Sequence, residues 1–160
     1  MSGAPAAAVH AYVALGANLG DPQAALRQAL RDLEALPHTQ LVRASSLYRT
    51  APVDSTGPDY INAVAELRTT LGPHELLAAL QRIESAAGRE RPYRNAPRTL
   101  DLDILLYGDV RLDEPRLTLP HPRMYQRAFV LVPLAEIAPA LVRPEQLQAV
   151  NSQGITRLSA

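Results

Sequence analysis

Leu100-Asp101-Leu102-Asp103-Ile104-Leu105-Leu106-Tyr107 is the stretch on which the fold turns. Leu100, Leu102, Ile104 and Leu106 alternate with Asp101, Asp103, Leu105 and Tyr107, which is the period of a strand. Reading back from it, Gly72 and Pro73 open a helical run with Leu76, Leu80, Ile83 and Ala87 at i, i+4, i+7 and i+11, and Gly88 stands as its C-terminal cap. Before that helix, Tyr60 to Thr69 alternates cleanly: Ile61, Ala63, Ala65 and Leu67 share one face, while Asn62, Val64, Glu66 and Arg68 share the other. Leu41 to Thr50, rich in Val, Ser, Thr and Tyr, reads as one more strand. At the start, Val9 to Leu15 reads as a strand that stops at Gly16-Ala17-Asn18-Leu19-Gly20-Asp21. Asp21 then offers an N-cap, Pro22 the first helical position, and Leu26, Leu30 and Leu33 an apolar stripe that runs until Pro37. The order is β-α-β-β-α-β, the split βαβ of a ferredoxin-like α+β core.

Beyond Tyr107 the chain has a Gly108-Asp109 turn with room for a short hairpin, then the Leu119-Pro120-His121-Pro122 loop. A helical run from Arg123 to Ile137, with Pro133 inside it, makes a C-terminal helical extension. The polar tail after Pro144 carries no readable signal. These features amount to one domain over residues 9–150, preceded by a tail of small residues, 1–8, expected to be disordered.

The 160 residues include 16 acidic and 16 basic side chains, for a formal net charge of zero. Every basic residue is an arginine, and lysine, cysteine and tryptophan are absent. Without lysine there is no Walker-type phosphate loop, no strand lysine of a protein kinase and no Schiff base; without cysteine there is no thiol nucleophile and no cysteine-ligated metal. Zero net charge opposes a nucleic-acid partner. The first apolar run lacks a basic flank and is broken by His10, Gly16 and Asn18, so the expectation is a cytoplasmic protein with no membrane segment.

Chemistry concentrates in Pro97-Arg98-Thr99-Leu100-Asp101-Leu102-Asp103. Strand residues two apart point the same way, so both carboxylates leave one face with Cα atoms about 6–7 Å apart, close enough to share or bridge metal ions. Mg²⁺ suits such a pair, because it takes oxygen ligands and is usually held by one or two carboxylates together with substrate phosphates. The plain alternative is a strand showing its polar face to water. Against it, Arg89, Arg91, Arg94 and Arg98 arrive from the preceding loop, opposed only by Glu90. Guanidinium forks match phosphate oxygens and keep their charge, so a polyphosphate site explains the juxtaposition better than a solvated basic loop does. Gly16 to Asp21 reads as a tight turn, or else as an anion cradle ahead of a helix. Asn62 offers both donors and an acceptor for a heterocycle edge, against a surface polar role. His121 is placed either on phosphate or as loop filler, and Phe129 either in the core or as a stacking wall.

Taken in order, the motifs resemble the family of 6-hydroxymethyl-7,8-dihydropterin pyrophosphokinases of folate biosynthesis. They are the Ala-Leu-Gly-Ala-Asn-Leu-Gly start, Ser-Ser-Leu-Tyr-Arg-Thr-Ala-Pro at 45–52, Pro58-Asp59-Tyr60-Ile61-Asn62-Ala63, and Gln81-Arg82-Ile83-Glu84 with Gly88-Arg89. Ala96 to Asp103, Leu119-Pro120-His121 and Arg127-Ala128-Phe129-Val130-Leu131 complete the set. Asn95-Ala96 depart from the Trp-Gly often found before that Pro-Arg.

The resemblance implies transfer of the β,γ-pyrophosphoryl group of ATP to the pterin hydroxymethyl oxygen, leaving AMP, in a single monomeric pyrophosphokinase domain. It implies that Asp101 and Asp103 hold two Mg²⁺ ions, with Asp103 near the attacking hydroxyl, and that Arg89 and Arg98 steady the triphosphate. Gln81, Glu84, Arg91, Ile104, Arg116, Thr118, His121 and Arg127 would join Arg89 and Arg98 as nucleotide contacts. Gly16, Thr50, Pro52, Val53, Tyr60 and Asn62 would form the pterin pocket, with Tyr60 and Phe129 stacking on the ring. Two other readings stay open at this level. Palm-like ferredoxin sheets also carry strand carboxylates in two-metal nucleotidyltransferases, and a ferredoxin-like RNA-binding module needs no catalysis at all.

Overall fold

Alternation in the strands and caps on the helices are both realised in the computed structural model, which describes residues 7–51, 58–88 and 100–158. Strand β1 (Val9–Ala17) is followed by helix α1 (Pro22–Glu34), strands β2 (Thr39–Ala44), β3 (Tyr48–Thr50) and β4 (Tyr60–Thr69), helix α2 (Pro73–Ala87) and strand β5 (Asp101–Tyr107). A small hairpin, β6 (Leu112–Asp113) and β7 (Thr118–Leu119), leads to α3 (Ala128–Ile137), α4 (Pro144–Ala149) and β8 (Thr156–Arg157). The main sheet runs β5-β1-β4-β3-β8, with β2 also on β4, and all of its pairings are antiparallel. Counting β2 and β3 as one interrupted strand, this is the fourth-first-third-second order of a ferredoxin-like sheet. The α+β expectation therefore holds.

Helix α1 starts where expected, because the Asp21 carboxylate accepts the Ala24 amide at 3.1 Å. At the head of α2 the Glu75 carboxylate accepts the Gly72 amide at 2.8 Å. Leu26, Ala29 and Leu33 of α1 and Leu76, Leu80 and Ile83 of α2 bury against Ala11, Val13, Leu15, Ile61, Ala65 and Leu67 on one face of the sheet. The expected stripe of α2 ends at Ile83, since Ala87 is exposed. On the opposite face, Val64 and Leu105 meet Val130, Leu131, Leu134 and Ile137 of α3. The α1–α2 face and the α3 face thus share the same strands.

Four local expectations are corrected. β1 does not stop at Leu15 but continues to Ala17, so Gly16 is a strand residue; the left-handed turn falls on Gly20, at φ +64°. The expected strand from Leu41 to Thr50 is two short strands, both paired to β4. The regular alternation of β5 fails after Ile104: Val13 pairs with Ile104 but Tyr12 with Leu106, so Leu105 is an extra residue in a bulge. Leu105 and Leu106 therefore turn to the α3 face, and Tyr107 returns to the α1–α2 core, where its hydroxyl donates to the Leu71 carbonyl. The helical run from Arg123 is also broken: a 3₁₀ turn covers Met124–Gln126 and the α-helix begins only at Ala128. Past residue 150, where the sequence carried no signal, β8 pairs with β3 and the Leu158 amide donates to the Leu47 carbonyl at 2.9 Å.

Candidate active site

Pairing across the sheet puts Asp101 of β5 opposite Gly16 of β1, Gly16 opposite Asn62 of β4, and Asn62 opposite Tyr48 of β3. Residues directly opposite one another point to the same face, here the α3 face. Asp101 and Asn62 are two strand spacings apart, about 10 Å, with only a glycine between them. The next row carries Asp103, Ala14 and Val64. Both aspartates are exposed, and on β1 they look across one glycine and one alanine. A trough floored by the smallest side chains thus separates a carboxylate pair from an amide.

The amide end is built tightly. Asn62 is 5% exposed, and its Nδ2 donates to Thr50 Oγ1 at 2.8 Å. A Cβ on Gly16 would lie 3.1 Å from Asn62 Oδ1, which is the reason for a glycine inside a strand. Tyr60, paired with Thr50, is two residues before Asn62 and shares its face. Phe129 enters from α3 as a partly buried member of the core on that side. The Arg127 guanidinium sits 5.3 Å from the centroid of its ring.

The carboxylate end lies at the edge of the sheet, since among the described residues β5 pairs only with β1. The outer edge of β5 is met from two sides. Glu84 of α2 accepts the amide of Leu102, the residue between the two aspartates, at 2.7 Å. The bulge carbonyl of Leu105 accepts the His121 amide at 2.9 Å, tying the loop after β7 beside Asp103. His121 Nδ1 accepts the Arg123 amide at 3.1 Å, so the ring proton resides on Nε2, free to donate. Burial lowers the His121 pKa; Asp103 pulls it the other way, and Arg127 and Arg123 add to the lowering. The imidazole is therefore a neutral donor near an acidic pair.

Arg116 is exposed in the turn between β6 and β7, and Thr118 lies on β7 with its hydroxyl 3.4 Å from the Glu114 carbonyl. Gln81 is exposed on α2, one turn before Glu84. Ile104 differs from the rest of the nucleotide set, because its side chain is 3% exposed in the α1–α2 core. Arg89, Arg91, Arg98, Pro52 and Val53 lie outside the described residues. A separate open cleft of about 570 Å³, lined by Arg27, Leu30, Ser46, Leu47 and Arg157, contains none of the expected site residues. The register and the chemistry of the side chains locate the candidate site better than the cleft does.

The profile of the 7,8-dihydro-6-hydroxymethylpterin-pyrophosphokinase family matches residues 12–139. The chain belongs to this family. A 2-amino-4-hydroxy-6-hydroxymethyldihydropteridine pyrophosphokinase of Pseudomonas aeruginosa is 50% identical over 154 residues, covering 92% of this chain and 95% of its own. The enzyme of the same name from Haemophilus influenzae is 50% identical over 151 residues (94% and 91%), and that from Bacillus subtilis 41% over 146 residues (91% and 87%). Among solved structures, wild-type Plasmodium falciparum HPPK-DHPS with pterin and p-hydroxybenzoate superposes with a TM-score of 0.68 at 15% identity, over 94% of this chain and 44% of that one. That likeness speaks for the fold, and this chain spans less than half of the longer protein.

Within the pyrophosphokinase family fold, the site has a feature that sequence reading passed over. Glu136 of α3 accepts the Ser46 amide at 3.0 and 3.1 Å, the Ser46 hydroxyl at 2.9 Å and the Tyr48 hydroxyl at 2.6 Å, and lies 3.5 Å from Arg157. Its signal in the sequence was a lone acid in the apolar run from Phe129 to Ile137. Burial alone would raise its pKa, but the Tyr48 and Ser46 donors and Arg157 outweigh this and hold it below the usual carboxylate range. Burial, followed by the Glu136 hydrogen bond and charge, pushes Tyr48 up to about 12. No helix of the described residues is long and apolar enough to cross a membrane.

Proposed function

We propose that this chain transfers the β,γ-pyrophosphoryl group of ATP to the hydroxymethyl oxygen of 6-hydroxymethyl-7,8-dihydropterin, giving AMP and the pterin diphosphate for folate biosynthesis. The observation that carries the site assignment is the single sheet row holding Asp101, Gly16 and Asn62. Its span of about 10 Å suits a flat bicyclic ring with a short arm, its edge on the amide and its hydroxyl toward the carboxylates. In the reaction the hydroxymethyl oxygen forms a bond to the β-phosphorus, the bond from that phosphorus to the α,β-bridging oxygen breaks, AMP leaves, and the hydroxyl proton is released.

Asp101 and Asp103 are the residues that would hold two Mg²⁺ ions. The fit rests on two exposed carboxylates on one strand face, opposite the small residues Gly16 and Ala14. When bound, such ions neutralise phosphate charge and align the attacking and leaving oxygens. The chain's own residues supply the positioning on which phosphoryl-type transfers depend. Glu84 holds the backbone between the aspartates, His121 presents an N–H toward anionic oxygen, and Asn62 reads the ring edge while Tyr60 and Phe129 flank it. Arg89 and Arg98 take the neutralising role that a lysine plays in other kinases. Arg91, Arg116, Thr118, Arg127 and Gln81, with the backbone at Ile104, complete the nucleotide side, and Pro52 and Val53 the pterin side. The proposed enzyme acts as a monomer in the cytoplasm, on these two small-molecule substrates.

Incubation with Mg-ATP and the reduced hydroxymethylpterin, followed by separation of the products, tests this reading. AMP and the pterin diphosphate are expected in equal amounts. Released pyrophosphate with a nucleotidylated product would establish nucleotidyl transfer instead.

A further inference from the structure

Two walls of the pterin pocket come from parts of the chain far apart in sequence: Thr50 and Asn62 from β3 and β4, and Phe129 from α3. The strand wall rests on a very short element, since β3 has three residues and follows the break at 45–47. Asn62 depends on it directly through its bond to Thr50. The helix wall has no covalent neighbour among these strands, and α3 interrupts its own ladder at Pro133.

One side chain spans the two walls. Glu136 is seven residues after Phe129, so both lie on one side of α3, two turns and about 10.5 Å apart along the axis. Its carboxylate takes the Ser46 amide and hydroxyl and the Tyr48 hydroxyl, with Arg157 of β8 beyond them. Tyr48 is 5% exposed, paired with Asn62 across the strands and two residues from Thr50. The Glu136 side chain is 24% exposed, so these charge-assisted bonds are partly shielded from water. No element of the α1–α2 face takes part.

We infer that Glu136, acting through Tyr48 and Ser46, is a positioning residue that sets the distance between the Phe129 wall and the Thr50–Asn62 floor of the pterin pocket. The inference rests on the proposed pterin site, and it assigns Glu136 no contact with either substrate. Loss of the clamp leaves Glu84, His121, Asp101 and Asp103 in place, because they are held by α2, β5 and the loop after β7, and of the proposed nucleotide contacts only Arg127 sits at the head of α3. The two substrates therefore respond differently.

The test is calorimetric titration of the full chain. Adenosine α,β-methylene triphosphate with Mg²⁺ is titrated first, and 6-hydroxymethylpterin is then titrated into the saturated complex. For Glu136→Gln, pterin affinity is expected to fall about tenfold while nucleotide affinity stays within about twofold. Tyr48→Phe should lower pterin affinity less, and adding it to Glu136→Gln should cost little more, because the two act through one bond. Should Glu136→Gln fail to fold, Tyr48→Phe alone carries the same split. Unchanged pterin affinity in both folded variants, or equal loss of both substrates, overturns the inference. Failure of the unaltered chain to bind the pterin at all sinks the underlying site assignment, and the inference with it.

Discussion

On the α1–α2 face of the sheet, Ala11, Val13, Leu15, Ala65 and Leu67 share a core with Leu26, Leu33, Leu76 and Leu80, in which Tyr107 is the one aromatic side chain among the described buried residues. On the α3 face the same strands carry Asp101, Asp103, Asn62, Tyr48 and Glu66, and α3 covers only part of them. Period-2 alternation makes this division possible, since each strand serves both faces with independent residues. The first face supplies the burial that stabilises the domain, and the second can then hold polar groups at its open end without costing the core. Even there polarity is managed: Glu66, 8% exposed, is held by His10 Nδ1 at 2.6 Å and Arg43 Nε at 3.2 Å.

Substitutions separate the two faces. The largest effect on turnover is expected at the carboxylates: Asp101→Ala or Asp103→Ala should lower kcat by about 10³-fold or more without lowering the midpoint of urea unfolding. Steady-state rates and a denaturation curve on the same preparation check both halves. Leu80→Ala should do the reverse, destabilising by about 2–5 kcal/mol while kcat per folded molecule is kept. A fall in kcat as large as that of Asp101→Ala would erase the distinction between the faces. A smaller effect is expected at Gly16→Ala, where the new methyl must displace an atom 3.1 Å away on Asn62. The KM for pterin should rise several-fold and that for ATP stay constant, as initial rates with each substrate varied would show.

The smallest expected effect is a pH dependence confined to the α3 face. The Glu136 pKa is lowered in the folded chain, so its contribution to stability is complete above the ordinary glutamate value of 4.5 and is lost as pH falls through the lowered one. Unfolding midpoints measured between about pH 6 and pH 3 should fall less steeply for Glu136→Gln than for the unaltered chain. Parallel curves would show that the clamp does not hold the carboxylate in its charged form.

Elements that declare themselves by periodicity were legible. Leu76, Leu80 and Ile83 defined α2, and the two faces of Tyr60 to Thr69 are divided as alternation requires. The Asp101–Asp103 pair was legible for the same reason, since spacing by two in a strand fixes direction. Features that depend on pairing between strands were not. The extra residue at Leu105 follows the same apolar pattern as its neighbours, yet it frees the carbonyl that anchors His121. Gly16 looked like turn punctuation because a glycine required by the approach of Asn62, from another strand, carries no local mark. Glu136 drew no expectation as one acid in an apolar helix, because its partners are about 90 residues earlier in the chain.

In the proposed reaction, the open end of the α3 face holds a metal–triphosphate on Asp101 and Asp103. Titration of Mn²⁺, followed by electron paramagnetic resonance, in the presence of adenosine α,β-methylene triphosphate and 6-hydroxymethylpterin measures this directly. The unaltered chain should bind two ions per ternary complex, and the Asp101→Asn, Asp103→Asn double variant should bind none beyond what the free nucleotide takes up. Two tightly bound ions in the double variant would contradict the assignment.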